Sequence, residues 1–244
     1  MIGKLVKRLA LSAVAANIRA PENPICRYLE LTHLRDLLRS LDIDMVLDVG
    51  ANRGQFATEL RQMGYRGQIV SFEPLRREYS ILEALFRKDA KWRGFNCALG
   101  REDGTASINV FADLTVMSSI LEPVGRQKNV EVECIEIRQL NSLFPQLMRE
   151  LPAKRIFLKM DTQGFDLEVF AGAQECLLRI HGLQSELSVR PIYRGMPHFI
   201  EALSVYENAG FELYDLTVVS RTPIGGLQEL NCFMQRNPAE AARP

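Results

Sequence analysis

Two carboxylates and one imidazole stand at positions suited to acid–base chemistry. Asp161 follows one short apolar stretch, Glu186 lies near the end of the next, and His198 is at the start of a predicted helix. Such groups can remove the proton of a hydroxyl as its oxygen attacks an electrophile. We expect direct contact with an acceptor in the order Asp161, Glu186, His198.

Each of these candidates has a structural alternative. Asp161 can cap the helix that follows it, with Thr162 and Gly164 making the turn. Glu186 can be the ion-pair partner of Lys159 or Arg190. A further alternative is a divalent ion held between the two carboxylates, since magnesium can orient a diol in this way. No third oxygen ligand is apparent, and we predict no metal site.

Lys159 is the fourth catalytic candidate. It lies on the same side of a predicted strand as Asp161, because side chains alternate along a strand. A lysine near the centre of a buried strand needs a carboxylate partner, which we expect to be Asp161 or Glu73. His198 follows a proline, where a lone histidine is more often a surface or capping group.

A glycine turn, LDVGANRG, joins a predicted strand to a predicted helix. Gly50 and Gly54 permit positive φ and the close approach of a ligand, which favours a nucleotide-like molecule. The turn lacks the third glycine of a dinucleotide-binding loop, so NAD is disfavoured. Asp48 at the entry disfavours a pyrophosphate and tolerates a ligand with an amino group, such as S-adenosylmethionine (SAM).

Glu73 is the second part of the predicted nucleoside site. It lies in SFEP at the end of the second predicted strand, about 20 residues after the turn. A carboxylate there can accept both ribose hydroxyls, in NAD or in SAM. An isolated glutamate before proline can also be a solvated strand end, but its combination with the glycine turn favours the ribose role.

Alternating strand and helix patterns predict an α/β fold with a parallel sheet covered on both faces. A β excursion at 104–137 interrupts the alternation, and two consecutive strands at the end predict an antiparallel hairpin at one edge. Strands are predicted at 45–49, 68–72, 93–98, 155–160, 183–189, 211–219 and 228–235, and helices at 54–63, 75–87, 139–150, 165–180 and 197–209. We divide the chain into a helical lead-in at 1–42, a domain at 43–236 and a disordered tail at 237–244.

The amino-acid composition limits the classes of binding partner and indicates a cellular location. Among 244 residues, 30 are Lys or Arg and 30 are Asp or Glu, so the formal net charge is zero. No overall positive charge therefore favours the binding of nucleic acid. The basic cluster around Trp92 is interpreted as a solvated loop. The five cysteines include no CxxC pair, which favours reduced thiols and a cytoplasmic location.

The N-terminal segment at 1–20 is predicted to be an amphipathic helix that packs on the domain. A peripheral membrane contact and a cleaved signal are the alternatives. Its apolar run is too short to span a bilayer.

In order, the stretches VLDVGANRGQFATEL, SFEP, NCALGREDGTASINVF, SSI, FLKMDTQGFDLEVFAGA and LQSELSVRPIYRGMPHFIEALSVYENAGFELYDL resemble the FkbM family of SAM-dependent methyltransferases. The resemblance covers about residues 43–235. It implies a class I methyltransferase fold, a Rossmann-like seven-stranded sheet in which only the last strand is antiparallel. One departure is Asn231, where many members have Asp.

The resemblance also implies roles for individual residues. Asp48, Gly50 and Asn52 would line the methionine end of the cofactor, Glu73 would hold the ribose, and Ala98 and Leu99 would lie against the adenine. The full expected cofactor set is Asp48, Gly50, Ala51, Asn52, Gly54, Glu73, Pro74, Ala98, Leu99 and Asp161.

The activity expected from the resemblance is O-methylation of a hydroxyl on a sugar, glycolipid or polyketide-like natural product. A small-molecule or glycoconjugate acceptor is therefore expected, and no nucleic acid. The alternatives are N- or C-methylation of a small molecule and a non-catalytic cofactor-binding module. The segment DLTVMSSILEP is expected to lie over the cofactor as part of the acceptor pocket, with Ser118 and Ser119 facing the ligand.

Overall fold

A computed structural model of the chain describes residues 22–125 and 129–236, together with Ser12. The predicted amphipathic segment at 1–20, Ser12 excepted, and the predicted tail at 237–244 lie outside the described residues. The helices are α1 (Glu22–Ser40), α2 (Gln55–Gln62), α3 (Arg76–Phe86), α4 (Leu140–Glu150), α5 (Asp166–Ala171) and α6 (Phe199–Asn208). The strands are β1 (Met45–Val49), β2 (Gln68–Phe72), β3 (Trp92–Phe95), β4 (Ala98–Gly100), β5 (Gly104–Phe111), β6 (Val130–Gln139), β7 (Ile156–Met160), β8 (Ile180–Ser188), β9 (Phe211–Arg221) and β10 (Leu227–Arg236).

The main sheet has seven strands in the order β3-β2-β1-β7-β8-β10-β9. Neighbours from β3 to β8 are parallel. Strand β10 is antiparallel to both of its neighbours, β8 and β9. The predicted hairpin is therefore present, and its antiparallel strand lies one position inside the edge because β9 pairs with its outer side.

The predicted β excursion forms a separate sheet in the order β4-β6-β5. The single strand predicted at 93–98 is wrong, because the segment divides between β3 in the main sheet and β4 in the small one. Asn96 turns the chain between them: its side-chain amide donates to the carbonyl oxygens of Glu73 and Pro74 at 2.9 and 3.0 Å.

The helix predicted at 165–180 is also divided, into α5 and a 3₁₀ helix at Gln174–Arg179. Gly172 lies at the break and packs against β4. A Cβ on Gly172 would lie 2.0 Å from the carbonyl oxygen of Gly100, so only glycine fits there. The helix is therefore divided where Gly172 contacts β4, and helical periodicity in the sequence does not reveal such a tertiary contact.

Each face of the main sheet has its own apolar core. Val46, Phe157 and Phe233 pack beneath α1, α2 and α3, whereas Leu158 and Met234 pack on the opposite face beneath α4, α5 and α6. Side chains alternate along a strand, so the residues two positions from Val46, Phe157 and Phe233 lie on the same α1 face, and these residues are polar. The candidate site is built on this polar layer.

Candidate active site

A cavity of about 240 Å³ lies at the carboxyl ends of β1, β2 and β7. Ligands of open α/β sheets bind at this edge. The predicted site residues in its wall are Gly50, Ala51, Asn52, Glu73, Pro74, Ala98, Leu99, Lys159 and Asp161. Four other predicted residues, Asp48, Gly54, Glu186 and His198, are not part of that wall.

Glu73 projects into the cavity from the end of β2 and is buried. Its Oε2 accepts the backbone N–H of Asn52 at 2.8 Å, and its Oε1 accepts that of Leu75 at 2.9 Å. Burial raises the pKa of Glu73 to about 7, and the two backbone donors oppose that rise. Each oxygen keeps a further lone pair, so the fixed carboxylate can accept two neighbouring hydroxyls.

Gly50 and Gly54 both adopt positive φ, of +76° and +90°. A Cβ on Gly50 would lie 2.0 Å from the carbonyl oxygen of Asp161, and one on Gly54 would lie 2.8 Å from the side chains of Leu82 and Phe86. At both glycines, the atoms that come close to the backbone therefore belong to the protein itself and not to a ligand. Gly54 packs against α3 and does not reach the cavity.

The backbone N–H groups of the glycine turn donate within the protein. The acceptors are Phe72 O for Gly50 and Ala51, Glu73 Oε2 for Asn52, Gln55 Oε1 for Arg53, and Ala51 O for Gly54. A loop that binds a pyrophosphate needs such groups free. This arrangement supports the exclusion of a dinucleotide.

Asp48 is fully buried beneath the cavity and pairs with Lys159, whose Nζ lies 3.1 Å from Asp48 Oδ1. Of the two predicted partners of Lys159, Asp161 does form an ion pair, at 3.6 Å, whereas no ion pair joins Lys159 to Glu73 within the described residues. The nearer partner, Asp48, was not predicted. Asp48 and Lys159 are direct neighbours in the register of β1 and β7. Burial opposes the charge on Lys159, but the nearby carboxylates of Asp48 and Asp161 outweigh it and raise the pKa of the lysine.

Asp161 lies at the rim of the cavity with a side chain 44% exposed. The helix-capping alternative is not observed, because α5 has Phe165 at its N-cap and no side-chain cap hydrogen bond. The turn before α5 is held by Asp166. Its buried carboxylate accepts the backbone N–H of Thr162 at 2.9 Å, the hydroxyl of Ser185 at 2.7 Å and the backbone N–H of Glu186 at 3.0 Å. Asp161 is thus left facing the cavity.

Gln163 joins the two predicted carboxylates and is absent from the predicted set. Its Nε2 lies 2.8 Å from Glu186 Oε2 and 3.3 Å from Asp161 Oδ1. The Ser119 hydroxyl donates to the Gln163 carbonyl at 2.7 Å, and the Tyr193 hydroxyl lies 3.2 Å from Gln163 Oε1. The only sequence signal for this residue was its place in the MDTQG stretch.

Glu186 therefore has an amide partner, and the proposed ion pairs with Lys159 or Arg190 do not form in the described structure. Burial, with Asp161 and Glu229 nearby, raises the pKa of Glu186 well above its ordinary value. The Gln163 N–H groups lie between Asp161 and Glu186, where a shared divalent ion would need to bind. The geometry disfavours the magnesium alternative.

His198 is exposed and precedes α6, and its ring packs on Phe199 with centroids 4.5 Å apart. It lies away from the cavity wall, which fits the surface or capping alternative. Ser119 is buried and bonded to Gln163, so it does not face a ligand as expected, whereas Ser118 does line the cavity.

The segment at 113–123, expected to form part of the acceptor pocket, contributes to the cavity wall. Thr115, Val116, Ser118 and Ile120 belong to the wall. Its later part is tied to the loop after β8, because the Arg194 N–H donates to the Glu122 carbonyl at 2.7 Å.

Helix α1 supplies a wall that the sequence did not predict. Arg27 and Asn231 both line the cavity, and the Asn231 amide donates to Glu30 Oε1 at 2.9 Å. The Arg27 guanidinium donates to Glu30 at 2.8 Å and forms a two-pronged pair with Glu59 of α2. No periodicity or spacing in the sequence indicated these contacts.

Comparison with known proteins gives a family match. The model of the methyltransferase FkbM domain matches residues 48–213. No curated protein matches the chain. Within the described residues, no helix has the length and apolar character to cross a membrane.

The chain is also similar to solved methyltransferase structures. One is magnesium protoporphyrin IX methyltransferase from Synechocystis PCC 6803 with bound SAM, at 8% identity over 88% of this chain and 82% of that chain, with a TM-score of 0.49. Another is an rRNA methylase from Streptococcus thermophilus, at 10% identity over 83% and 93%, with a TM-score of 0.42. A third is Aeropyrum pernix fibrillarin with SAM, at 13% identity over 78% and 66%, with a TM-score of 0.43.

Proposed function

Because the chain belongs to the FkbM methyltransferase family and has the class I fold of SAM-dependent enzymes, we propose that it methylates a hydroxyl oxygen. We propose Asp161 as the general base and an uncharged, sugar-like molecule as the acceptor. The observation that carries this proposal is the carboxylate of Asp161, which lies 44% exposed at the cavity rim and does not cap α5.

The cavity fits the cofactor of this family, SAM, in three places. The fixed carboxylate of Glu73 suits the ribose hydroxyls, the wall at Ala98 and Leu99 suits an apolar ring, and the turn at Gly50 and Asn52 suits the methionine end. When bound, SAM supplies a methyl group on a positively charged sulfur, which is the electrophile of the reaction.

The residues around Asp161 would align the base and the acceptor. Methyl transfer is an in-line displacement, so the acceptor oxygen must be held along one line as its proton leaves. Asp161 accepts that proton at a carboxylate oxygen. Lys159, at 3.6 Å, and Gln163, at 3.3 Å, hold that carboxylate from two sides.

The charge around the base favours an uncharged acceptor. The carboxylate of Asp161 lies at the cavity rim, and the neighbouring cation, Lys159, already pairs with Asp48 at 3.1 Å. Phosphate or carboxylate groups would be repelled there, which argues against nucleic acid. Trp92, in the basic cluster, stacks on Phe86 and donates to Ser71 instead of presenting a free ring.

We further propose a cytoplasmic location. All five cysteines are unpaired, and three of them are buried in the core. This pattern fits a reducing compartment.

Substitution of Asp161 tests the assignment of the base. Asp161→Asn keeps the shape of the side chain and removes the proton acceptor, so methyl transfer from labelled SAM to a panel of neutral glycosides should fall by at least about 100-fold. The affinity for S-adenosylhomocysteine (SAH), measured by calorimetry, should stay within about tenfold. Equal losses of transfer and of SAH affinity would contradict the role of Asp161, and methylation at nitrogen would contradict O-methylation.

A further inference from the structure

Arg27 is a cation in the cavity wall with donors to spare. It belongs to α1, outside the matched residues 48–213. Its Nε lies 3.0 Å from Glu59 Oε1, its Nη2 contacts Glu59 Oε2, and its Nη1 lies 2.8 Å from Glu30 Oε1. A guanidinium has five N–H groups, so these three contacts leave one N–H on each terminal nitrogen.

The order of strands in the sheet gives the position of Arg27 along the cavity. Ala98 and Leu99 of β4 mark one end, Glu73 after β2 is next, and Gly50 after β1 follows. Arg27 is held from α2, the helix after the Gly50 turn, and through Glu30 it adjoins Asn231 of β10. It therefore lies beyond Gly50, at the end opposite Ala98 and Leu99.

The backbone donors of the glycine turn and the other cation near that end are already engaged. The five N–H groups of the glycine turn donate within the protein. Lys159 pairs with Asp48 at 3.1 Å and donates to the Gly50 carbonyl at 3.0 Å. Of the cations in the wall, Arg27 alone keeps unused N–H groups within the described residues. A negatively charged ligand group at that end would find its donors there.

We propose that Arg27 binds the carboxylate of the methionine moiety of SAM and so determines specificity for the intact amino-acid tail. This inference rests on the proposed use of SAM. Paired N–H groups on one guanidinium match a carboxylate, and such charge-assisted bonds are among the strong ones. Glu59 and Glu30 hold the guanidinium in place so that little side-chain freedom is lost on binding.

Removal of the ligand carboxylate tests the proposal together with removal of the guanidinium. The two ligands are SAH and its decarboxylated analogue, which keeps the amino group. Calorimetry should show that the unaltered protein prefers SAH by about 10- to 100-fold, as expected for a hydrogen bond to a charged group. In Arg27→Gln, SAH should weaken by a similar factor while the analogue stays within about twofold, so that the preference disappears. Arg27→Lys, which keeps the positive charge but not the planar pair of N–H donors, should retain part of the preference for SAH.

A matched control lies on the same helix. Arg35 pairs with Asp36 and is not part of the cavity wall, so Arg35→Gln should leave both affinities unchanged. If Arg27→Gln weakens both ligands equally, the residue only supports the structure and the proposal is overturned. If the preference for SAH survives in Arg27→Gln, it is overturned as well. Failure of the unaltered protein to bind either ligand would instead refute the proposed use of SAM.

Discussion

At the scale of single residues, Glu73 combines two opposing influences. Burial raises its pKa to about 7, whereas its backbone donors from Asn52 and Leu75 favour the charged carboxylate. A carboxylate that accepts two ribose hydroxyls must be ionised, so ligand binding and protonation compete. The raised pKa puts this competition in the neutral range, where an ordinary glutamate would already be fully charged.

This competition predicts a pH-dependent affinity for SAH. Because the pKa in the free protein lies above its ordinary value, affinity should rise as pH increases from about 6 to about 8 and then level off, with a change of up to about tenfold per pH unit below the pKa. Calorimetry at several pH values measures the slope. Glu73→Gln should bind SAH weakly with a flat profile over this range, and Glu73→Ala should abolish binding. A sloping profile in Glu73→Gln would assign the pH dependence to another group.

Residue types alone indicated much of the site but not its pairing. Glu73 and Asp161 were identified because they follow apolar strands at the sheet edge where ligands bind. Asp48 and Lys159 were also identified, but their pairing depends on the register of β1 and β7. Removal of one partner of such a buried pair leaves an uncompensated charge, which is strongly destabilising.

At the scale of elements, the regular strands and helices were predictable because hydrophobic periodicity marks them. The bounds of β1 and β2 match the prediction, and those of α4 differ by one residue. The errors occur where the chain changes sheet at Asn96 and where the helix divides at Gly172. Both depend on contacts with distant carbonyl groups, at Glu73 and Gly100, which local sequence does not specify.

The turn between β1 and α2 depends on the absence of a side chain at Gly50. Gly50→Ala should destabilise the protein by roughly 2–4 kcal/mol, since positive φ costs about 1–2 kcal/mol for an L-residue and the added Cβ would meet the Asp161 backbone, 2.0 Å away. Urea unfolding measures the cost. The control is Gly64→Ala, where φ is +90° and no atom lies within 4 Å of the added Cβ. It should cost only about 1 kcal/mol, and an equal cost at both positions would contradict the role of the close contact.

At the scale of the whole molecule, α1 connects elements that are distant in the sequence. Arg27 pairs with Glu59 of α2, Glu30 accepts from Asn231 of β10, and His33 pairs with Asp215 of β9. These contacts run across the α1 face of the sheet from the cavity to its edge. The sequence could not reveal them, because each joins α1 to a residue that only the folded sheet brings near.

Asn231 is the position at which this network can be tested in stability. Asn231→Asp removes the donor to Glu30 and sets a second carboxylate beside it, so the free energy of unfolding should fall by about 1–3 kcal/mol at neutral pH. Glu30→Gln restores an amide–carboxylate pair with the partners reversed. The double variant Asn231→Asp/Glu30→Gln should therefore be more stable than Asn231→Asp alone, with a coupling free energy of about 0.5–3 kcal/mol in a double-mutant cycle followed by urea unfolding.

The same double-mutant cycle shows whether Asn231 and Glu30 affect stability through their direct contact or independently of each other. Because Asn231 and Glu30 are 2.9 Å apart at their polar atoms, a direct hydrogen bond requires that the two substitutions be non-additive. Additive effects would mean that the contact contributes nothing to the docking of α1. Glu30 also pairs with Arg27, and Glu30→Gln removes that ion pair. The double variant should therefore regain stability more fully than SAH affinity, which separates the docking of α1 from the placement of Arg27.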